Sequence, residues 1–177
     1  MTRLDGNRIY LRPHEMRDKA VIFAGSAEPE GGRLTGTQGT FTMAQIEAYI
    51  DRNSTDDSRA GWVICTLDDT VVGEVVINQI DTDNRSANIR IGMFDPQYFG
   101  KGYGTEAMRL ALDYGFGVLR LHRISLGVYD FNPRAIHVYE NKLGFRREGV
   151  LRDALLWDGD YHDEIIMSLL EHEWRGD

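Results

Sequence analysis

Three features of the sequence predict a mixed α/β fold built on a mostly antiparallel sheet. The first half holds short apolar segments with partial alternation, separated by tight turns. The second half changes to a helical period, with one long apolar helix and then a strand–helix–strand series. Between the halves, a glycine-rich turn joins a strand to a helix. The expected architecture is an antiparallel half followed by a parallel unit, in one domain over residues 1–177.

Taken in order, Ile9 to Arg12 reads as a strand ended by Pro13, and Glu15 to Phe23 as a helix. Residues 25–40 hold Gly31, Gly32, Gly36 and Gly39 among threonines, which predicts a mobile loop. Thr42 with Gln45 has the pattern of a capping box, and Ile46, Tyr49 and Ile50 give the helix it opens an apolar stripe. Trp62 to Leu67 and Val71 to Ile80 read as strands joined by a hairpin turn at Asp68, Asp69 and Thr70. A turn at 81–85 leads to a strand over 87–94, with Ala87, Ile89, Ile91 and Met93 on one face. Thr105 to Leu119 is helical. Its stripe of Ala107, Leu110, Ala111, Tyr114 and Val118, widened by Met108, Leu112 and Leu119, is broad enough to pack on a sheet. Arg123 to Tyr129 is a strand, Asn132 to Lys142 a helix, Phe145 onward a strand, and Glu164 to Leu170 the last strand. Strand, helix and strand in series imply parallel pairing through a right-handed crossover.

Composition narrows the function. Hydrophobic residues make up 42% and charged residues 27%, as in ordinary globular proteins. Twenty basic against 28 acidic residues give a net charge of −8, which disfavours a nucleic-acid partner. The acidity suits a cationic partner such as an amine, or serves solubility alone. No apolar run approaches the roughly 18 residues of a membrane span. The start, Met1-Thr2-Arg3-Leu4-Asp5, has no apolar signal segment, so a cytoplasmic protein without a membrane partner is expected. The one cysteine, Cys65, lies in the apolar run Trp62-Val63-Ile64-Cys65 and reads as a small buried thiol. The histidines (His14, His122, His137, His162, His172) show no metal-ligand spacing, so no metal is expected. A homo-oligomer is left open.

The sharpest local signal is Gln97-Tyr98-Phe99-Gly100-Lys101-Gly102-Tyr103-Gly104-Thr105. Alternating glycines let backbone approach a ligand closely, and successive N–H groups at a helix start form an anion nest. The physical reading is a diphosphate site; a glycine-rich turn without a ligand is the other. Thr105 stands where a dinucleotide fingerprint needs glycine, and a nucleotide P-loop is absent. A second cluster follows. Asn132 before Pro133 suits a helix N-cap with proline at the first position, and Gly144 suits the stop. Tyr139 lies two helical turns after Asn132, so the two share a face; a purely structural tyrosine is an equal reading.

The Gln-x-x-Gly-x-Gly turn before a helix resembles the acyl-CoA motif of the GNAT superfamily of N-acetyltransferases. The Asn-x-x-Ala-x-x-x-Tyr-x-x-x-x-Gly-Phe segment ending at Phe145 resembles that superfamily's second cofactor motif. The resemblance is clearest over residues 71–170 and is to the branch of ribosomal-protein N-terminal acetyltransferases and spermidine acetyltransferases. Asp113-Tyr114-Gly115-Phe116, Ala135-Ile136-His137-Val138-Tyr139, and Leu11-Arg12-Pro13 with Asp18 carry the branch.

The resemblance implies a GNAT-like fold: a central, mostly antiparallel sheet with two splayed parallel strands, 87–94 and 123–129, and helices on both faces. Acetyl-CoA is then the co-substrate. Its arm bonds to backbone near Met93 and Phe94, and its diphosphate lies against Gln97, Gly100, Lys101, Gly102, Tyr103, Gly104 and Thr105. Asn132 touches the arm, and Tyr139 lies near the thioester as general acid. The implied reaction is direct attack by a primary amine in a ternary complex; the acceptor is a protein N-terminus, a polyamine or another small amine. Relatives often carry Glu at the strand position of Asn88, so the base is sought at Glu74, with a solvated edge carboxylate as the other reading. Residues 31–42 lack the acidic, aromatic segment of the spermidine enzymes. Arg146, Arg147 and Arg152 form either a solvated face or an adenosine 3′-phosphate contact. The alternative function is a CoA-binding sensor without turnover.

Overall fold

The structure, a computed structural model, describes residues 2–175; residues 1, 176 and 177 of the expected domain lie outside the described residues. The first strands are β1 (Leu4–Asp5) and β2 (Ile9–Pro13), followed by a 3-10 turn at Met16–Asp18. Helices α1 (Lys19–Ser26), α2 (Pro29–Thr35) and α3 (Met43–Thr55) come next. Strands β3 (Ala60–Thr66), β4 (Val71–Asp81) and β5 (Ser86–Met93) form the meander. The chain continues through α4 (Tyr103–Gly117), β6 (Arg123–Tyr129), α5 (Pro133–Leu143), β7 (Arg146–Trp157), β8 (Asp160–Leu170) and α6 (Glu171–Arg175). The eight strands form one sheet in the order β1-β2-β3-β4-β5-β6-β8-β7. Every neighbouring pair is antiparallel except β5 with β6.

The middle strands are covered on both faces. All of β3 is buried, and its side chains alternate between two cores. Trp62 and Ile64 join Ala107, Met108, Ala111, Leu112 and Phe116 beneath α4, whereas Val63 and Cys65 join Ile22, Ile46 and Ile50 beneath α1 and α3. Cys65 is a fully buried free thiol. A strand covered twice needs apolar residues throughout, which is why Trp62 to Thr66 shows no polar alternation. Half-buried Arg12 and buried Asp18 pair through two hydrogen bonds of 2.7 Å and tie α1 to β2. Burial alone would raise the Asp18 carboxyl; the Arg12 guanidinium and the Glu15 N–H together with Arg17 outweigh it and hold the carboxyl below its ordinary value.

Four expectations are corrected. Residues 29–35, read as loop, are helical. Glu28 accepts hydrogen bonds from the N–H groups of Glu30 and Gly31, Pro29 takes the first position, and Gly36 ends the helix at φ 68°. Caps at both ends thus override two interior glycines. Val118 is 63% exposed because α4 ends one residue earlier. The strands flanking α5 run in the same direction but do not pair, since β8 lies between them. The parallel pair is β5 with β6, across α4. Residues 146–170 are a long hairpin closed at Asp158 and Gly159, both with positive φ, a two-residue turn of the hairpin type.

The close seating of α4 on the sheet depends on Gly115. A Cβ there would lie 2.7 Å from Ile124 Cδ1 and 3.2 Å from Ile77 Cδ1. Gly115→Leu is expected to overpack this contact and cost about 1–3 kcal/mol, read as a lowered midpoint in urea unfolding. An unchanged midpoint would mean that the helix can lift without loss.

Candidate active site

At the end of β5 the chain turns through Asp95, whose carboxylate accepts the Gln97 N–H at 2.8 Å and Gln97 Nε2 at 2.9 Å. Gln97 is thereby a turn former. Gly100 and Gly102 have φ of 72° and 81°, a region that a side chain would strain. Gly102 is the N-cap of α4 and brings no capping side chain. Among the described residues, no acceptor meets the N–H groups of Tyr103, Gly104 and Thr105. Bare N–H groups at the positive end of a 15-residue helix favour an anion. Gly104 seats this helix start on the sheet: a Cβ there would be 3.5 Å from Ile91 Cδ1.

Arg8, which no motif marks, borders the same turn. Its Nη1 donates to the Lys101 carbonyl at 2.9 Å, and its Nε donates to Glu106 Oε2 at 3.1 Å. Lys101 is exposed, with its ammonium 5.6 Å from the centre of the Tyr98 ring. The turn therefore combines unpaired donors with two cations, the equipment for a diphosphate.

Beside it the sheet opens. Strands β5 and β6 pair only through Ser86–Arg123, Ala87–Ile124 and Asn88–Ser125, then separate. The Phe94 N–H donates to Val72 at 2.9 Å, so it is committed to β4. Strand alternation then turns the backbone of Met93 into the gap. Of the two residues expected there, Phe94 gives its N–H to β4, and the Met93 backbone is turned the other way. Helix α2 spans the mouth of this gap. A Cβ at Gly31 would lie 3.6 Å from the Met93 carbonyl oxygen, and one at Gly36 would lie 2.6 Å from the Tyr129 ring.

Asn132 caps α5, its Oδ1 accepting the Ala135 N–H at 3.1 Å. Among the described residues its Nδ2 has no hydrogen-bond partner, so both of its N–H donors stay free. Tyr139 packs on the main core and sits 6.1 Å from Phe145, centroid to centroid. Its hydroxyl makes no hydrogen bond among the described residues. Burial pushes this phenol up to about 12, so it keeps its proton at neutral pH.

Glu74 lies on the α3 side of β4, directly across from Gly92. It is no solvated edge carboxylate, for its side chain is only 17% exposed. Its Oε2 faces His14 Nε2 at 3.1 Å and accepts from Tyr49 Oη at 2.9 Å. Burial would raise the carboxyl, but His14, Arg90 and Tyr49 more than reverse this and hold it below its ordinary value. His14 Nδ1 and Asn53 Nδ2, both buried, have no hydrogen-bond partner among the described residues.

Of the expected basic run, Arg146 pairs with Glu173 at 3.0 Å, Arg147 pairs with Glu140, and Arg152 is exposed. Among the described residues, no three His, Cys, Asp or Glu side chains are grouped to hold a metal, and no helix is long and apolar enough to cross a membrane.

The family described as Acetyltransferase (GNAT) domain matches residues 8–146. The spermidine N(1)-acetyltransferase of Escherichia coli K12 is 31% identical over 166 residues, covering 94% of this chain and 88% of that protein. An uncharacterized N-acetyltransferase of Bacillus licheniformis is 30% identical over 180 residues, covering 99% of this chain and all of that one. Among solved structures, the spermidine N-acetyltransferase of Vibrio cholerae, crystallised with CoA and spermine, superposes with a TM-score of 0.89 at 27% identity. That match covers 96% of this chain and 99% of the other.

The place of Arg8 at the turn makes it the cation to remove. Arg8→Ala is expected to weaken CoA about tenfold, the loss of one charge-assisted contact of about 1.4 kcal/mol, with the gap narrowing as salt rises. Calorimetric titration at two salt concentrations reads this. Equal affinity in a folded variant would remove Arg8 from the site.

Proposed function

The chain belongs to the GNAT acetyltransferase family and is an acetyl-CoA-dependent N-acetyltransferase; from that premise we propose that it acetylates a primary amine by direct attack in a ternary complex. The observation that carries this reading is the parting of β5 and β6 beside a helix start with bare N–H groups. Relatives named for spermidine as acceptor support an amine.

Bound acetyl-CoA supplies an acetyl group already activated as a thioester. The N–H groups from Gly100 to Thr105, with Arg8 and Lys101, hold the diphosphate. The backbone of Met93 and the free amide of Asn132 hold the arm. Tyr139 keeps a proton for the departing thiolate, the part of a general acid. Glu74 is ionised and stands on the acceptor side, where it draws an ammonium inward. A carboxylate held below its ordinary value is a weaker base, and the amine proton passes to water in its field. No acyl-enzyme is needed: Cys65 is fully buried, and burial raises its thiol further.

Steady-state release of free CoA thiol with an amine panel tests the function. Binding without release would point to a sensor. Tyr139→Phe keeps the ring and is expected to lower kcat by about tenfold or more, within the range of general acid help, with acetyl-CoA affinity unchanged. Wild-type turnover in that variant would make Tyr139 a packing residue. Tyr139 titrates only at about 12, so it imposes no alkaline loss near neutrality. The rate is then expected to climb between about pH 7 and 9 as an acceptor of pKa about 10.4 deprotonates. A bell-shaped profile in that window would place another acid in the step.

A further inference from the structure

On the α3 face of the sheet, beside the Met93 end of β5, there is open space over Gly92, where a Cβ would meet no other atom within 4 Å. Glu74 stands directly across on β4, and Arg90 precedes Gly92 by two residues, so all three share this face. Arg90 is half exposed, with its Nη2 donating to Tyr49 Oη at 2.9 Å. It forms an ion pair with Glu74 Oε1 at 3.8 Å, with no hydrogen bond between them. Both charges thus keep capacity for a ligand. The guanidinium has five donors, of which protein hydrogen bonds among the described residues occupy one. His14 and Tyr49 occupy Glu74 Oε2, and among the described residues no hydrogen bond takes Oε1.

The surrounding carboxylates are committed elsewhere. Glu28 caps α2, Glu30 pairs with Arg33, Asp18 pairs with Arg12, and Glu47 pairs with Lys19. Little unpaired negative charge is left here for a chain of several ammonium groups. The guanidinium at the mouth would instead repel a second cation.

Resting on the reading of the chain as an amine acetyltransferase, we propose that its acceptor carries a carboxylate close to the amine, as a free amino acid does. Glu74 takes the ammonium and Arg90 the carboxylate. A guanidinium suits this part because its fork binds both carboxylate oxygens at once. A polyamine lacks the carboxylate, and so does a peptide N-terminus at that distance. Each of these would leave Arg90 facing a cation or an amide.

The test varies only the carboxylate. L-leucine, L-phenylalanine and L-glutamate are assayed beside their α-amides and the amines left by removing the α-carboxylate, with spermidine as the polycation. The expected result is that kcat/KM for the amino acids exceeds that of both analogues and of spermidine by about tenfold or more. Arg90→Gln should close this gap, mainly by raising KM for the amino acids, and Arg90→Lys should restore part of it. Binding of the N-acetyl amino acids to CoA-saturated protein gives a readout independent of turnover, and it should weaken in Arg90→Gln. If no amine is acetylated but this binding depends on Arg90, the carboxylate site stands and the acetyl transfer falls. Preference for spermidine or the bare amines in the wild type would overturn the proposal while leaving acetyl transfer intact. So would a gap that survives Arg90→Gln, or N-acetyl amino acid binding that ignores Arg90.

Discussion

The site depends on one constraint: two parallel strands that stop bonding to each other while still bonding to their outer neighbours. After Asn88 and Ser125, β5 holds to β4 and β6 holds to β8, so neither strand can close the gap. Backbone groups left in a protein interior need partners. A gap of this kind therefore selects an extended ligand with amide groups of its own. The sheet creates the demand by its topology, before any side chain is considered. Side chains then decide what enters and from which end.

Charge is arranged against the overall balance. The chain carries −8, yet Arg8 and Lys101 are gathered at the glycine turn, beside helix N–H groups that favour an anion. Glu106 makes this arrangement durable. It accepts from the backbone of Asn7 and Arg8 and from the Arg8 side chain, so the segment before β2 is held to the start of α4. Its carboxyl would rise with burial, and these donors hold it down instead. A carboxylate near an anion site would ordinarily repel the ligand; here its charge is spent on aiming a cation.

What the sequence disclosed was local. The glycine turn, the Thr42–Gln45 capping box and the Asn132–Pro133 to Gly144 helix limits each lie within a few residues, and the structure has them all. Helix α2 was hidden because Gly31 and Gly32 lower propensity, while the cap at Glu28 and the packing of Gly36 on Tyr129 raise stability through groups that a propensity does not weigh. The Asp158-Gly159 hairpin is legible in the sequence, since that dipeptide is a preferred residue pair for such a turn. Arg8 at the turn and the meeting of His14, Tyr49 and Arg90 on Glu74 were beyond reach. Those partners come from separate elements and are brought together only by sheet register and by helix packing on the sheet.

The burial of Cys65 has a practical side. It is the one cysteine in the chain, none of it reaches solvent, and its thiol resists ionisation. A thiol-reactive dye in the assay cuvette will therefore register released CoA and stay blind to the folded catalyst, so slow turnover can be followed at high protein concentration without a protein-derived background. Once the chain is denatured, the same dye should find one equivalent per polypeptide. The molecule thus carries its own concentration standard, silent while it works and countable when it does not.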